Sequence, residues 1–199
     1  ADATWADGHR MLGLARLRKG DPAGARAAYE RGLQQVPGDI HLIAYVGDLE
    51  FDQRRYGESE AQYRRVVAMA DDHPELPEFL LNLAIAVLQQ GHLEEAVSIV
   101  EHARGLAPER LQLLLAHGEV RLRQGRFQDA LADFQEATRR DPSSPRAHSD
   151  LAYALADLGR LDEAVAAAAR SVDLDPGNRD TKQFLAQLER RRASAGRQP

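Results

Sequence analysis

The sequence repeats a pattern at a fixed interval of 34 residues. The segments GHLEEAVSIVEHARGLAP, GRFQDALADFQEATRRDP and GRLDEAVAAAARSVDLDP begin at Gly91, Gly125 and Gly159. Each copy has a glycine in front of an apolar pattern of helical period and a proline behind it. A period between about 20 and 50 residues is typical of stacked-repeat proteins, whose units bury their apolar faces against one another. This interval therefore limits the fold more than any other feature of the sequence.

The same register extends to both sides of these copies. It defines five units, which span residues 6–39, 40–76, 77–110, 111–144 and 145–178. Each unit contains two apolar-periodic segments joined by a short turn, which predicts a helical hairpin. We expect residues 1–192 to form one domain in which residues 179–192 are a capping helix, because repeat proteins need a polar end. Residues 193–199 are predicted to be a disordered tail.

Small residues recur at fixed positions of both helices in each hairpin. In the first helix they are Gly13, Gly47, Ala84, Gly118 and Ala152, and in the second they are Ala25, Ser59, Ala96, Ala130 and Ala164. The residue four positions after each member of the second set is Tyr29, Tyr63, Val100, Phe134 or Ala168. A glycine inside a helix costs up to about 1 kcal/mol relative to alanine, so these glycines need a packing reason. We expect the two helices to approach closely there, with the larger residue filling the groove between them.

Turn glycines separate the two helices in four of the five units, at Gly20, Gly91, Gly125 and Gly159. In the second unit Arg54 stands at this position. Prolines at positions 37, 108, 142 and 176 follow the second helices, because proline lacks the amide hydrogen that a helix needs.

On these residues the chain resembles the tetratricopeptide repeat (TPR) family over about residues 6–178. The shared features are the small residue in the first helix, EEA or DEA opening the second, an aromatic residue one turn later and the terminal proline. The resemblance implies an all-α fold, a right-handed α-solenoid of five helical hairpins plus the C-terminal capping helix. It also implies that the first helices line a concave groove that holds a peptide or a partner helix.

Composition excludes several classes of function. The chain has 31 acidic and 26 basic residues and a net charge of -5, which argues against nucleic-acid binding. It has no cysteine, which removes disulfides and thiolate metal sites and leaves cytoplasm and periplasm as alternatives. No apolar run approaches the roughly 20 residues that span a bilayer, so we expect a soluble chain without membrane insertion. The rarity of lysine, with only Lys19 and Lys182, favours a bacterial source.

No motif for catalysis, metal binding or cofactor binding is found in the sequence. The seven histidines have no pair at metal-ligand spacing, and acid pairs such as Glu94 and Glu95 open helices, where they favour the helix dipole. His117 and His148 could approach each other on neighbouring first helices, and satisfied core histidines are the favoured interpretation. The sequence predicts no enzyme, no metal and no cofactor.

A partner site is predicted along the middle of the concave face. Residues 79–88 are apolar on nearly every side of their helix except at Asn82, so this helix should be buried on all sides. The predicted groove residues are Asp48, Phe51, Leu81, Asn82, Ile85, Leu88, Leu115, Glu119, Leu122 and Tyr153. An apolar centre with a charged rim is typical of a partner site, and it favours an amphipathic ligand with some basic character. The alternative is that superhelical curvature shields these residues within the solenoid itself.

The best-known carboxylate clamp of the family is missing at the matching positions. Asn82 matches its asparagine, but Ala44 and Asp48 stand where the clamp has lysine and asparagine. The basic pair expected one unit later is Gln112 and Ala116. Asp48 would repel a carboxylate, so a chaperone C-terminal tail is disfavoured as the ligand.

These observations predict a non-catalytic scaffold or adaptor that binds a protein or peptide partner of unknown identity. Two alternatives remain open. The chain could be the substrate-recognition arm of a larger enzyme, such as a glycosyltransferase or a protease. It could also be a bacterial scaffold that associates with itself as a homo-oligomer.

Overall fold

The computed structural model describes residues 3–195, with side chains from Trp5 onward. This part of the chain contains eleven helices and no strand. They are α1 (Ala3–Arg18), α2 (Pro22–Gln35), α3 (Ile40–Asp52), α4 (Tyr56–Met69), α5 (Leu76–Gln89), α6 (Leu93–Leu106), α7 (Leu111–Arg123), α8 (Phe127–Arg140), α9 (Pro145–Asp157), α10 (Leu161–Leu174) and α11 (Arg179–Ala195). None of these helices is both long enough and apolar enough to cross a bilayer.

The chain divides into two compact units, with the boundary between Leu106 and Ala107. Unit 1 holds α1 to α6 and unit 2 holds α7 to α11. Within each unit, consecutive helices pack as antiparallel hairpins, and each hairpin packs on the next. The predicted all-α class of stacked helical hairpins with a C-terminal helix is therefore confirmed. The assignment of residues 1–192 to a single domain stays a prediction.

The small-residue positions bring the helices of a hairpin together, as predicted. Ala25, Ser59, Ala96, Ala130 and Ala164 are all completely buried. A Cβ atom built on Gly118 would lie 2.6 Å from the ring of Phe134, and one on Gly13 would lie 2.0 Å from the ring of Tyr29. Alanine at either site would collide with a buried aromatic ring, which explains why glycine is used inside these helices.

The turns depend on left-handed backbone geometry. Gly91, Gly125 and Gly159 have φ values of 84°, 73° and 74°. Arg54 adopts the same conformation with φ of 59°, although residues with a Cβ atom rarely do so. The second hairpin thus keeps the turn of the others and accepts local strain at this arginine.

A charged network joins the first two hairpins of unit 1. Glu50 on α3 is buried, and its carboxylate accepts a hydrogen bond of 2.5 Å from Arg26 on α2 and another from Arg55. Burial alone would raise the pKa of Glu50, but the two arginines outweigh it and hold the pKa below its usual value. The network therefore stabilises the folded state at neutral pH and weakens as Glu50 is protonated.

The last helix is longer than the sequence predicts. α11 continues through residues 193–195, which the sequence places in the disordered tail, and residues 196–199 lie outside the described part of the chain. Leu188 is completely buried in the core of unit 2, while Phe184 and Leu185 are partly buried against it. The apolar side of α11 covers α10 in the way that a capping helix should.

Candidate partner-binding clefts

Unit 1 contains a cleft of about 90 Å³ between α3, α4 and α5. Its lining consists of Asp48, Phe51, Tyr63, Asn82 and Ile85. Four of these residues belong to the predicted groove, and Tyr63 was predicted only as a filler between helices. The cleft combines two apolar walls with a polar floor, and this arrangement suits an amphipathic ligand.

A chain of hydrogen bonds crosses the floor of this cleft. The Tyr63 hydroxyl donates to Asp48 Oδ1, and Asn82 Nδ2 donates to Tyr63 Oη over 3.2 Å. The Tyr63 side chain is almost completely buried, so its hydroxyl needs such partners. Three helices thereby contribute to one network, which fixes the orientation of the Asn82 amide.

The electrostatic environment of the cleft is acidic. Asp48 is exposed to water, but the residues around it partly desolvate its carboxyl group and raise its pKa. Asp52 and Glu78 act in the same direction, and only the hydrogen bond from Tyr63 opposes them. Burial also raises the pKa of Tyr63, and the neighbouring Asp48 carboxylate adds to this effect.

Unit 2 contains a second cleft of about 280 Å³, between α7, α8 and α9. It is lined by Glu119, Leu122, Arg123, Phe134, Asp150 and Tyr153. Arginines neutralise part of its acidic charge, since Glu119 lies 3.1 Å from Arg123 and 3.5 Å from Arg146. This cleft therefore presents both signs of charge, unlike the cleft of unit 1.

The two clefts occupy the same positions of the repeat. Asp48 and Ile85 each follow the small residue of their first helix by one position, as Glu119 and Tyr153 do in unit 2. Phe51 and Leu122 each follow that small residue by four positions. Asn82 and Asp150 each precede that small residue by two positions, and Tyr63 and Phe134 occupy the same position of their second helices. Matching positions of the repeat thus build both clefts, and the side chains at those positions differ.

Phe134 has no hydroxyl group, and a carboxylate oxygen next to it in unit 2 has no hydrogen bond. In unit 1 the matching Tyr63 hydroxyl joins the residues on α3 and α5. In unit 2 the Oδ2 atom of Asp150 is buried without a hydrogen bond, although Arg146 Nε lies 3.5 Å away. Burial raises the pKa of Asp150 to about 6, Arg146 opposes this change and Glu119 adds to it.

Tyr153 is partly covered by the last helix. Its ring stacks on Phe184 of α11, with the ring centroids 3.9 Å apart and the planes 16° apart. The side chain is nevertheless 41% exposed, so the other part of the ring remains available in the cleft. The capping helix therefore orients this groove residue without removing it from the surface.

Two of the predicted groove residues belong to the core. Leu88 is 2% exposed and Leu115 is 3% exposed, so their side chains are shielded within the solenoid, as the alternative interpretation held. Leu81 is partly exposed on α5 but does not line the cleft of unit 1. The predicted residues therefore separate into a group around each cleft, and a strip that continues from one unit to the other stays a prediction.

Two polar partnerships were missed in the sequence. The first is the hydrogen bond between Tyr63 and Asp48. The sequence contains a signal for it, because a buried tyrosine needs an acceptor and Asp48 is next to Gly47, the small residue of the first helix in the same hairpin. The second concerns His117, whose Nδ1 lies 2.6 Å from Asp133 Oδ2 on α8. His148 instead places Nε2 3.1 Å from the carbonyl oxygen of Pro142. In the described residues no group of three or more metal-ligating side chains gathers around either histidine.

Comparison with curated proteins finds a longer relative. A curated relative, Protein FlbA of Caulobacter vibrioides, is 29% identical over 156 residues, which cover 78% of this chain and 26% of the relative. The chain thus spans about a quarter of that relative's length.

Solved structures agree with the helical architecture. TTC0263, a thermophilic TPR protein of Thermus thermophilus, matches with a TM-score of 0.76 and 23% identity, covering 92% of this chain and 98% of that chain. YrrB, described as a TPR protein with an unusual peptide-binding site, matches with a TM-score of 0.66 and 15% identity, covering 92% of this chain and 90% of that chain. At these identities the two likenesses show the fold alone.

Family models described as tetratricopeptide repeat match nearly the whole described chain. One model matches residues 6–40 and 115–179, and another matches residues 39–109. Together with the buried small-residue positions and the repeated hairpins, these matches show that the chain belongs to the tetratricopeptide repeat family.

Proposed function

We propose that the chain is a non-catalytic scaffold that binds a peptide or helix of a partner protein in the clefts of its two units. The observation that carries this proposal is the pair of matching clefts, each with partly exposed apolar side chains beside acidic groups. YrrB, a protein of the same fold, is described as having a peptide-binding site, which supports a similar use of the fold here.

The apolar members of the clefts supply the driving force for binding. Phe51 and Ile85 in unit 1, and Leu122 and Tyr153 in unit 2, keep part of their surface open to water. Burying apolar surface contributes a favourable free energy of roughly 25 cal/mol for each Å² removed from water. Because each helix that carries these residues packs against the second helix of its own hairpin, a ligand meets a preformed surface and little ordering free energy is lost.

Introducing a charge into one cleft tests the proposal. Ile85→Asp places a charge on the partly exposed wall of the unit 1 cleft and should reduce capture of partner proteins from native cell extract at least tenfold. Met69→Asp is the matched control, because Met69 is 50% exposed and lies outside both clefts. Captured proteins are identified by crosslinking and mass spectrometry, and helicity is checked by circular dichroism. Equal capture by wild type and a folded Ile85→Asp variant would reject the cleft as the binding site.

A second candidate is that this chain is the recognition module of a longer polypeptide. The observation in its favour is that the chain spans 26% of Protein FlbA. The complete gene decides this point, since it shows whether further domains are encoded beside these repeats. Self-association, which light scattering measures, stays a prediction.

A further inference from the structure

The directions of the hydrogen bonds in the unit 1 cleft define what its ligand must offer. A tyrosine hydroxyl has one proton, and Tyr63 gives that proton to Asp48. The Tyr63 oxygen must then accept its second hydrogen bond from the Asn82 side-chain amide group. The side-chain carbonyl oxygen of Asn82 therefore remains as an acceptor for a ligand. The second oxygen of the Asp48 carboxylate is also an acceptor. The polar floor therefore presents acceptors from two helices and calls for a ligand with several donors.

The charge around the cleft gives the ligand its sign. Asp52 and Glu78 raise the pKa of Asp48 and the hydrogen bond from Tyr63 lowers it, and none of these three groups is a cation. The matching acid of unit 2, Glu119, is instead held by Arg123 and Arg146. A cation in the unit 1 cleft would therefore meet the acidic charge of Asp48 without competition from an arginine already bound to it.

The walls favour a long side chain with an apolar stem. Phe51 and Ile85 stand on two different helices and line the same cleft as the acceptors. Arginine and lysine both bury their methylene stems along apolar surface while the charged head reaches polar groups. Only arginine has a planar fork of donors, which can reach a carboxylate and a second acceptor at once.

We propose that the unit 1 cleft binds the guanidinium group of an arginine in the partner, with Asp48 and the Asn82 carbonyl as acceptors and Phe51 and Ile85 against the stem. This inference rests on the proposed function, because it names the chemistry of a ligand for one of the two clefts. It extends that function by giving the two units different roles, with the arginine bound only in unit 1.

Small capped amino acids test this inference without any partner protein. The probe is Nα-acetyl-arginine methylamide, titrated into ¹⁵N-labelled protein while backbone and asparagine side-chain amide signals are followed by NMR. The matched probe is capped citrulline, which has the same shape but a neutral urea. We expect saturable shifts at Asp48, Phe51 and the Asn82 side chain with arginine, and at least tenfold weaker binding of citrulline, because charge-assisted hydrogen bonds are the stronger ones.

Variants locate the binding in unit 1. Asp48→Asn keeps an acceptor for the Tyr63 hydroxyl but removes the charge, and it should weaken arginine binding at least tenfold. Glu119→Gln, the matched change in unit 2, should leave it unchanged. Equal binding of citrulline, unchanged binding by a folded Asp48→Asn variant, or shifts confined to unit 2 would overturn the inference. Capped lysine binding as tightly as arginine would overturn the choice of arginine.

The two proposals fail in different ways. Arginine binding with partner capture unaffected by Ile85→Asp would reject the unit 1 cleft as the place where a partner is captured and leave the cation site intact. Capture that depends on Ile85, without any arginine binding, would reject the cation site alone.

Discussion

The difference between Tyr63 and Phe134 leads to a prediction about unit 2. The two residues occupy the same repeat position, and only Tyr63 supplies a hydroxyl to the neighbouring helices. Phe134→Tyr should place a hydroxyl near the buried Oδ2 atom of Asp150, which has no hydrogen bond at present. The cleft of about 280 Å³ around Phe134 leaves room for one added oxygen.

The pKa of Asp150 sets the size of the effect. Burial raises that pKa from 3.8 to about 6, so the folded state binds the proton more tightly than the unfolded state. The free energy of unfolding therefore falls as pH rises from about 4 to about 6, by at most about 3 kcal/mol at 1.36 kcal/mol for each pH unit. A hydroxyl that donates to the carboxylate should recover roughly 1 to 2 kcal/mol of this loss above pH 6 and almost none near pH 4.

Denaturation with urea at pH 4 and at pH 8, followed by circular dichroism, measures the difference between variant and wild type. NMR titration of the Asp150 carboxyl should also show its pKa moving from about 6 toward 3.8 in the variant. Tyr63→Phe is the matched control, because it removes the corresponding hydroxyl from unit 1 and should destabilise the protein. A Phe134→Tyr variant that is no more stable at pH 8 than wild type, with the pKa of Asp150 unchanged, would refute the reasoning.

Two further predictions concern the backbone. Arg54→Gly should raise the free energy of unfolding by about 0.5 to 1 kcal/mol in urea denaturation, because glycine relieves the left-handed strain at φ of 59° but adds freedom to the unfolded chain; a loss of stability would contradict this account of the turn. Gly118→Ala should destabilise by roughly 1 to 2 kcal/mol, since overpacking against Phe134 exceeds the gain in helix propensity. Gly8→Ala, where a Cβ atom meets nothing within 4 Å, should instead raise the thermal midpoint, and equal behaviour of the two alanine variants would argue against close helix approach.

The fold could be predicted from the sequence because the repeat states the same packing rule five times. Gly13 and Gly118 would be costly inside isolated helices, and their recurrence at one position of the repeat predicts close contact there. The structure shows the reason at both sites, where an aromatic ring occupies the space of a side chain. The turn at Arg54 could not be predicted with the same certainty, because only the neighbouring repeats indicate that its φ is positive.

The sequence also predicts which side of each helix faces the candidate site, but it does not predict which residues on that side are exposed. Helical period alone places Leu88 on the same side of α5 as Ile85 and Leu81. Whether a residue on that side is open or covered depends on how far neighbouring side chains reach, and Leu88 and Leu115 are covered. Hydrophobic pattern gives the direction in which a side chain points, and burial is a property of the packed structure.

The chemistry of the two clefts depends on choices that no period can encode. One backbone arrangement recurs in both units, yet a hydroxyl at position 63 joins Asp48 to Asn82, and its absence at position 134 leaves an oxygen of Asp150 without a hydrogen bond. The repeat therefore determines where a ligand can lie, and single polar atoms determine which ligand is favoured. Because the unit 1 acceptors are organised before binding and Glu119 of unit 2 is already held by two arginines, a partner should distinguish the units by charge as well as by the size of the cleft.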